Sequence, residues 1–190
     1  MRKYITKHEW NLFFEAISAY QNSDRNKAMF HMMYIHGLRV SELTGMKNSD
    51  LDLIGKTVYI RRLKNGLSTI HPLQEQTFSL IKKWMEVRSL YLKEWSPDFL
   101  FLSSNGRVIS RQWIYKLCKK ISIQGGLGMN IHPHMLRHAC GYALANQGMD
   151  TRLIQDYLGH RNIHHTVLYT AGNAERFRRV WREVDITCDI

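Results

Sequence analysis

Between Asp50 and Pro72 the hydrophobic pattern leaves its helical spacing for short β-branched runs, Thr57-Val58-Tyr59-Ile60 and Ser68-Thr69-Ile70, punctuated by turn signals at Gly55 and Asn65-Gly66. Such runs, so short and so close together, predict a small antiparallel sheet. Apolar residues recur at helical intervals on both sides of it, so the chain is confined to a mainly α fold carrying a small antiparallel β-sheet, an α+β class.

The helices can be placed from their caps. Thr6-Lys7-His8-Glu9 reads as a capping box opening a helix to about Tyr20, with Trp10, Phe13, Phe14 and Ile17 on one face. Asp24 is a candidate cap for a second helix that turns Met29, Phe30, Met33 and Tyr34 inward and stops near Gly37, which leaves Arg39 at a junction between elements. Lys64 sits beside the Asn65-Gly66 turn, at the tip of a hairpin. Helical spacing resumes from about Gln74 to Lys93, a short Phe99-Leu100-Phe101 strand follows, and Ser110 caps a helix to about Ile123. Past the glycine-rich Gln124–Gly128 stretch, a helix starts near His134 and reaches about Gln147. Asp150 caps another that ends at Leu158-Gly159, with His160 just beyond, and Tyr169 lies on or beside a short helix after that.

The 190 residues carry 27 Lys and Arg against 16 Asp and Glu, a formal charge of +11, which calls for a polyanionic partner such as nucleic acid or an anionic membrane surface. Up to Ile60 there are 8 basic and 6 acidic residues, and from Arg61 onward 19 and 10, so the later part should present the binding face. No long basic amphipathic helix supports the membrane alternative. Cys118, Cys140 and Cys188 form no CxxC pair and are odd in number, which argues against a disulfide framework or a structural zinc. Charged Lys7, His8 and Glu9 follow the N-terminus at once, with no signal-like apolar stretch. A cytoplasmic protein associated with the nucleoid is the expectation.

Taken singly, the chemically capable residues have ordinary explanations: Arg39 a surface charge, Lys64 a solvated turn residue, His160 a helix-end cation, Tyr169 a core aromatic with a bonded hydroxyl. Their order changes the reading. Gly37-Leu38-Arg39-Val40-Ser41-Glu42-Leu43, Lys64 at a turn, His134-Met135-Leu136-Arg137-His138, Leu158-Gly159-His160 and Thr166-Val167-Leu168-Tyr169-Thr170 follow one another along the chain. This ordered set resembles the signature of the tyrosine recombinase (phage integrase) family, from about Leu12 to Tyr169, and is most similar to the short recombinases that invert fimbrial promoter elements in enterobacteria.

The resemblance implies a catalytic domain in which Tyr169 attacks a DNA phosphodiester to give a 3′-phosphotyrosine and a free 5′-hydroxyl. Arg39 and Arg137 would hold the non-bridging oxygens, His160 would add a third donor, His134 would manage the tyrosine proton, Lys64 would protonate the departing oxygen, and Glu42 would be the supporting acid. Elementary chemistry makes the same demands. Charge accumulates on the phosphoryl oxygens, and bidentate guanidinium groups are suited to it. A phenol of pKa about 10 needs a base or a cationic field before it can attack. The tyrosyl ester keeps the bond energy for religation, so neither ATP, metal nor other cofactor is expected.

The whole chain is expected to be one catalytic domain without a separate DNA-clamping domain, joined on double-stranded DNA with inverted-repeat sites into a homotetramer, with DNA-bending proteins as accessories. Arg111, Lys116, Lys119, Lys120 and His132 are candidate DNA contacts. In the run Arg176-Phe177-Arg178-Arg179-Val180-Trp181-Arg182, the arginines read first as a solvated face, while Phe177, Val180 and Trp181 form a stripe for docking on a neighbouring protomer, within a C-terminal segment of about 173–190. His132, His138, His164 and His165 are assigned to capping, packing or phosphate positioning rather than metal binding. Trp84, Trp95, Trp113, Met29 and Met33 are assigned to the core. Promoter inversion is the preferred outcome; integration or excision, a type IB topoisomerase and a non-catalytic DNA-binding regulator are the alternatives.

Overall fold

A computed structural model describes residues 2–63, 66–171 and 173. It contains eight α-helices and three strands among these residues: α1 Lys7–Ala16, α2 Ser23–Ile35, α3 Val40–Thr44, β1 Leu51–Asp52, β2 Thr57–Ile60, β3 Thr69–Pro72, α4 Glu75–Arg88, α5 Arg111–Gln124, α6 Pro133–Asn146, α7 Thr151–Leu158 and α8 His164–Thr170. The strands form one antiparallel sheet in the order β1-β2-β3. Val58 pairs with His71 and Ile60 with Thr69, which turns Val58, Ile60 and His71 inward while Ile70 stays exposed.

Most caps are where the sequence places them. Thr6 and Glu9 form the capping box of α1, which tightens into a 3-10 turn at Ile17–Ala19. Ser110 accepts from the Trp113 N–H at the start of α5, and Asp150 from the Arg152 and Leu153 N–H groups at the start of α7. Pro133 opens α6, where its missing N–H leaves no helical bond unmade.

Three expectations are corrected. Asn22, with φ 62°, stands at the N-cap of α2, and Asp24 instead lies in the first turn, where its charge suits the helix dipole. Phe99–Phe101 is not a strand: Phe99 makes one isolated bridge to Lys47 and Leu102 one to Val108. Trp84 is fully buried, but Trp95 and Trp113 are exposed, each beneath a guanidinium: Arg107 lies 5.5 Å from the Trp95 ring and Arg25 4.9 Å from that of Trp113.

The core is built around α2, whose residues Ala28, Met29, Phe30, Met32 and Met33 are all inaccessible because α4 and α6 flank it. A smaller apolar cluster, Cys140, Ala145, Ile154, Leu158 and Tyr169, lies where α6, α7 and α8 meet. That cluster carries Tyr169 in a packed setting at the edge of the main core. No helix among the described residues is long and apolar enough to cross a membrane.

Candidate active site

The chain leaves α2 through Gly37, at φ 57°, a left-handed turn that only a residue without a Cβ takes cheaply. It arrives at Arg39, the N-cap residue of α3, in extended backbone. Glu42, three residues on, turns back: its Oε2 accepts from the Arg39 backbone N–H at 2.9 Å and its Oε1 from Arg39 Nη1 at 2.6 Å. The same carboxylate accepts from Arg62 Nη1 at 2.9 Å, and Arg137 Nη1 lies 3.8 Å away. Burial alone would raise the Glu42 carboxyl pKa, but Arg62, the Arg39 N–H, Arg137 and Arg39 outweigh it and hold the pKa below the usual carboxylate value.

The buried arginines also reach the ends of helices. Arg62 Nη2 donates to the carbonyls of His36, at 3.2 Å, and Tyr157, at 2.5 Å. Arg137 donates to the carbonyls of Gly37 and, at 2.7 Å, of Leu158. These carbonyls lie just past α2 and in the last turn of α7, where the chain offers no helical partner. Arg39, by contrast, keeps about a quarter of its side chain exposed.

Gly159 ends α7 with φ 64° and lies against Arg62, so that any Cβ would stand 2.6 Å from Arg62 Cγ. His160 follows at once, its Nδ1 2.8 Å from the Thr166 hydroxyl. Burial first, then Arg137, Arg39, His165 and Arg62, push the His160 pKa down to about 3, so the ring is neutral at neutral pH. In the tautomer in which the Thr166 hydroxyl donates to Nδ1, the ring proton resides on Nε2, a donor suited to an anionic oxygen.

Tyr169, on α8, is 2% exposed. The His160 ring is stacked with its ring at 6.3 Å, Tyr142 meets it edge-on at 5.1 Å, and its hydroxyl lies 2.9 Å from His138 Nδ1. Burial pushes the Tyr169 phenol pKa up to about 12, while Arg137 and Arg39 pull it downward.

Two clefts open over this cluster and share Arg39 and Leu63. One, about 720 Å³, is lined by Ser41, Arg111, Gln112, Tyr115, Lys116 and His134, and the other, about 710 Å³, by Gln155, His160, Arg161 and His165. The exposed face of α5 that carries Arg111 and Lys116 continues through Lys119 and Lys120. His132, the exposed N-cap residue of α6, stands with its ring 6.3 Å from that of His134.

The structure thus gathers Arg39, Glu42, Arg137, His160 and Tyr169 from four separate segments, with His134 on the wall of the adjoining cleft. Lys64 and the Arg176–Arg182 run lie outside the described residues. Two participants gain their roles only from the fold. Arg62 continues the alternation of Val58 and Ile60 two residues past the end of β2, so the strand period is the available signal for its inward direction. His138 was assigned to capping, packing or phosphate positioning, and its bond to the Tyr169 hydroxyl depends on where α8 crosses α6.

A phage integrase family model matches residues 3–176. The chain belongs to this family, the tyrosine site-specific recombinases. It is 46% identical over 180 residues to the type 1 fimbriae regulatory protein FimB of Escherichia coli K12, covering 95% of this chain and 90% of that protein. The type 1 fimbriae regulatory protein FimE of the same strain is 44% identical, covering 95% of this chain and 91% of that protein. Among solved structures, XerA recombinase superposes with a TM-score of 0.82 at 26% identity, over 95% of this chain and 64% of that one. XerH site-specific recombinase, in a post-cleavage complex with palindromic difH DNA, superposes at 0.77 and 26% identity, over 95% of this chain and 53% of that one. The chain therefore spans between half and two thirds of these two solved chains.

Proposed function

We propose that this recombinase inverts a promoter-bearing DNA element that controls fimbrial expression, cutting each strand with Tyr169. The observation that carries the chemistry is the gathering of Arg39 and Arg137 at the Glu42 carboxylate with His160 stacked beside the Tyr169 ring. Arg39 and Arg137 bind the scissile phosphate, His160 adds a donor, and His134 faces the phosphate from the cleft wall. Lys64 supplies the proton that the departing 5′-oxygen needs. The supporting carboxylate is Glu42, whose charge keeps the arginines from repelling one another.

Arg111, Lys116, Lys119, Lys120 and His132 hold the duplex by its phosphates. The fimbrial outcome is supported by the names of FimB and FimE, and the DNA substrate by the XerH complex. Two inverted-repeat sites are brought together by a homotetramer, assisted by DNA-bending proteins, and strands are exchanged through a Holliday junction in the nucleoid.

The test is covalent capture under denaturing conditions of the wild type and of Tyr169→Phe on chromosomal DNA from the source cell, followed by sequencing of the trapped fragments. Paired inverted sites seen with wild type alone are the expected result. Scattered adducts point to a topoisomerase, and DNA binding without any adduct points to a non-catalytic regulator.

A further inference from the structure

His138, Gly141 and Tyr142 occupy positions i, i+3 and i+4 of α6 and together form the seat of the Tyr169 side chain. Gly141 lies under the ring so closely that a Cβ there would be 2.7 Å from Cε2 and Cζ. Tyr142 closes one side edge-on, and His138 meets the hydroxyl, Nδ1 to Oη 2.9 Å. The phenol is therefore held with its reacting oxygen on an imidazole nitrogen.

From this arrangement we infer that His138, rather than His134 as the family resemblance implies, is the base that takes the phenolic proton of Tyr169, a further catalytic residue. The inference rests on the reading of Tyr169 as the nucleophile. As the Oη–P bond forms, the proton passes from Oη to His138 Nδ1. As the P–O5′ bond breaks, its electron pair leaves with the 5′-oxygen, which receives a proton from the general acid on the opposite side. In religation the incoming 5′-hydroxyl gives its proton back to that acid, and the imidazolium of His138 returns its own to the released tyrosine oxygen. Protons and charge balance over the cycle with no other reactant.

The surroundings suit this role. A phenol held near 12 does not ionise unaided at neutral pH, so it needs an acceptor in contact. Burial, followed by His134, Arg137, Lys3 and His132, lowers the pKa of His138 and keeps its ring neutral and able to accept. The groups facing it are thus His132, His134 and Arg137 from its own helix and helix cap, Lys3 from the N-terminal segment, and Tyr169 from α8. An alternative use of the same bond is a clamp that keeps Tyr169 idle. Against it, the oxygen on His138 already lies within the electrostatic reach of Arg137 and Arg39, the groups that would share the phosphate with it.

The test is single-turnover cleavage of a duplex carrying a captured site, made with an ordinary 5′-oxygen leaving group and with a 5′-bridging sulfur that leaves without needing an acid. His138→Asn keeps a hydrogen-bond acceptor near Nδ1 but takes up no proton, and His138→Ala opens space for added imidazole. We expect His138→Asn to bind DNA as the wild type does and to cleave on the order of 10²-fold more slowly with both leaving groups. The decline in rate as pH falls through the His138 titration should vanish, and imidazole should partly restore His138→Ala. His138→Gln serves if the asparagine variant unfolds. Wild-type rates, faster cleavage, or a defect confined to the oxygen leaving group would each overturn the inference. A wild type that forms no adduct on any duplex would remove the nucleophile itself, and the inference with it.

Discussion

Arg62 and Glu42 meet at 2.9 Å with 0% and 1% of their side chains exposed, an ion pair sealed beneath the cleft. Removing one partner from such a pair leaves a charge without compensation and costs about 3–5 kcal/mol. Arg62→Met is therefore expected to lower unfolding free energy by that amount, measured by urea denaturation, which for a domain of typical stability leaves only a modest margin. Arg62→Lys should recover little of it, because a single ammonium does not span the carboxylate and the carbonyls of His36 and Tyr157.

Acid should weaken the fold before the Glu42 carboxylate is protonated. His36 and His71 face each other through their Nδ1 atoms at 3.3 Å, and burial first, then neighbouring cationic groups, push their pKa values down to about 3 and about 4. The unfolded chain binds protons on both rings once the pH drops below about 6.5, whereas the folded chain does not. Stability is thus lost as pH falls from about 6.5 toward these folded values, by up to ~1.4 kcal/mol per pH unit for each ring. His71→Asn should flatten the slope between pH 6 and 4.5. Glu42 acts in a lower window, because its depressed pKa makes its contribution disappear only as pH falls below about 4.3.

Gly141→Ala tests the seat of Tyr169. Alanine favours a helix over glycine by about 1 kcal/mol, but the added Cβ would overlap the Tyr169 ring, and overpacking of this kind costs about 1–3 kcal/mol. The expected outcome is a small net loss of stability with a large loss of covalent adduct, while DNA binding measured by fluorescence anisotropy is unchanged.

Arg39 and Arg137 should separate activity from stability. Arg39→Ala removes a group that is about a quarter exposed and is expected to lower cleavage by about 10²–10³ while the thermal midpoint moves little. Arg137→Ala removes the same kind of charge and, with it, bonds to the carbonyls of Gly37 and Leu158, so both readouts should fall.

On α5, Lys116→Ala and Lys119→Ala should each weaken binding to all duplexes alike and reduce the salt dependence of the binding constant by about 0.9 in log–log slope, if each neutralises one phosphate. Binding isotherms at several salt concentrations would show it.

The helices and the small sheet are legible because their signals are local: the Thr6–Glu9 box, Ser110 and Asp150 each name their own helix starts. Asn22 is not, since its left-handed backbone carries no side-chain cap bond to betray it. Arg39, Glu42, Arg137, His160 and Tyr169 are legible as an ordered set. The setting of Trp95 is not legible, because a large aromatic gives no sign in the sequence that a guanidinium, rather than the core, will cover it. The partner of the Tyr169 hydroxyl depends on how two helices cross, a tertiary fact that lies beyond any local pattern.

The arginines that anchor on the carbonyls just past α2 and in the last turn of α7 are also caps, satisfying carbonyls that the left-handed glycines Gly37 and Gly159 leave open at those helix ends. Charge placement and helix termination are therefore one cooperative unit. In native-state hydrogen exchange, the final turns of α2 and α7, distant in sequence, should open together with a common free energy, and a bound phosphate that steadies the guanidinium groups should slow both at once.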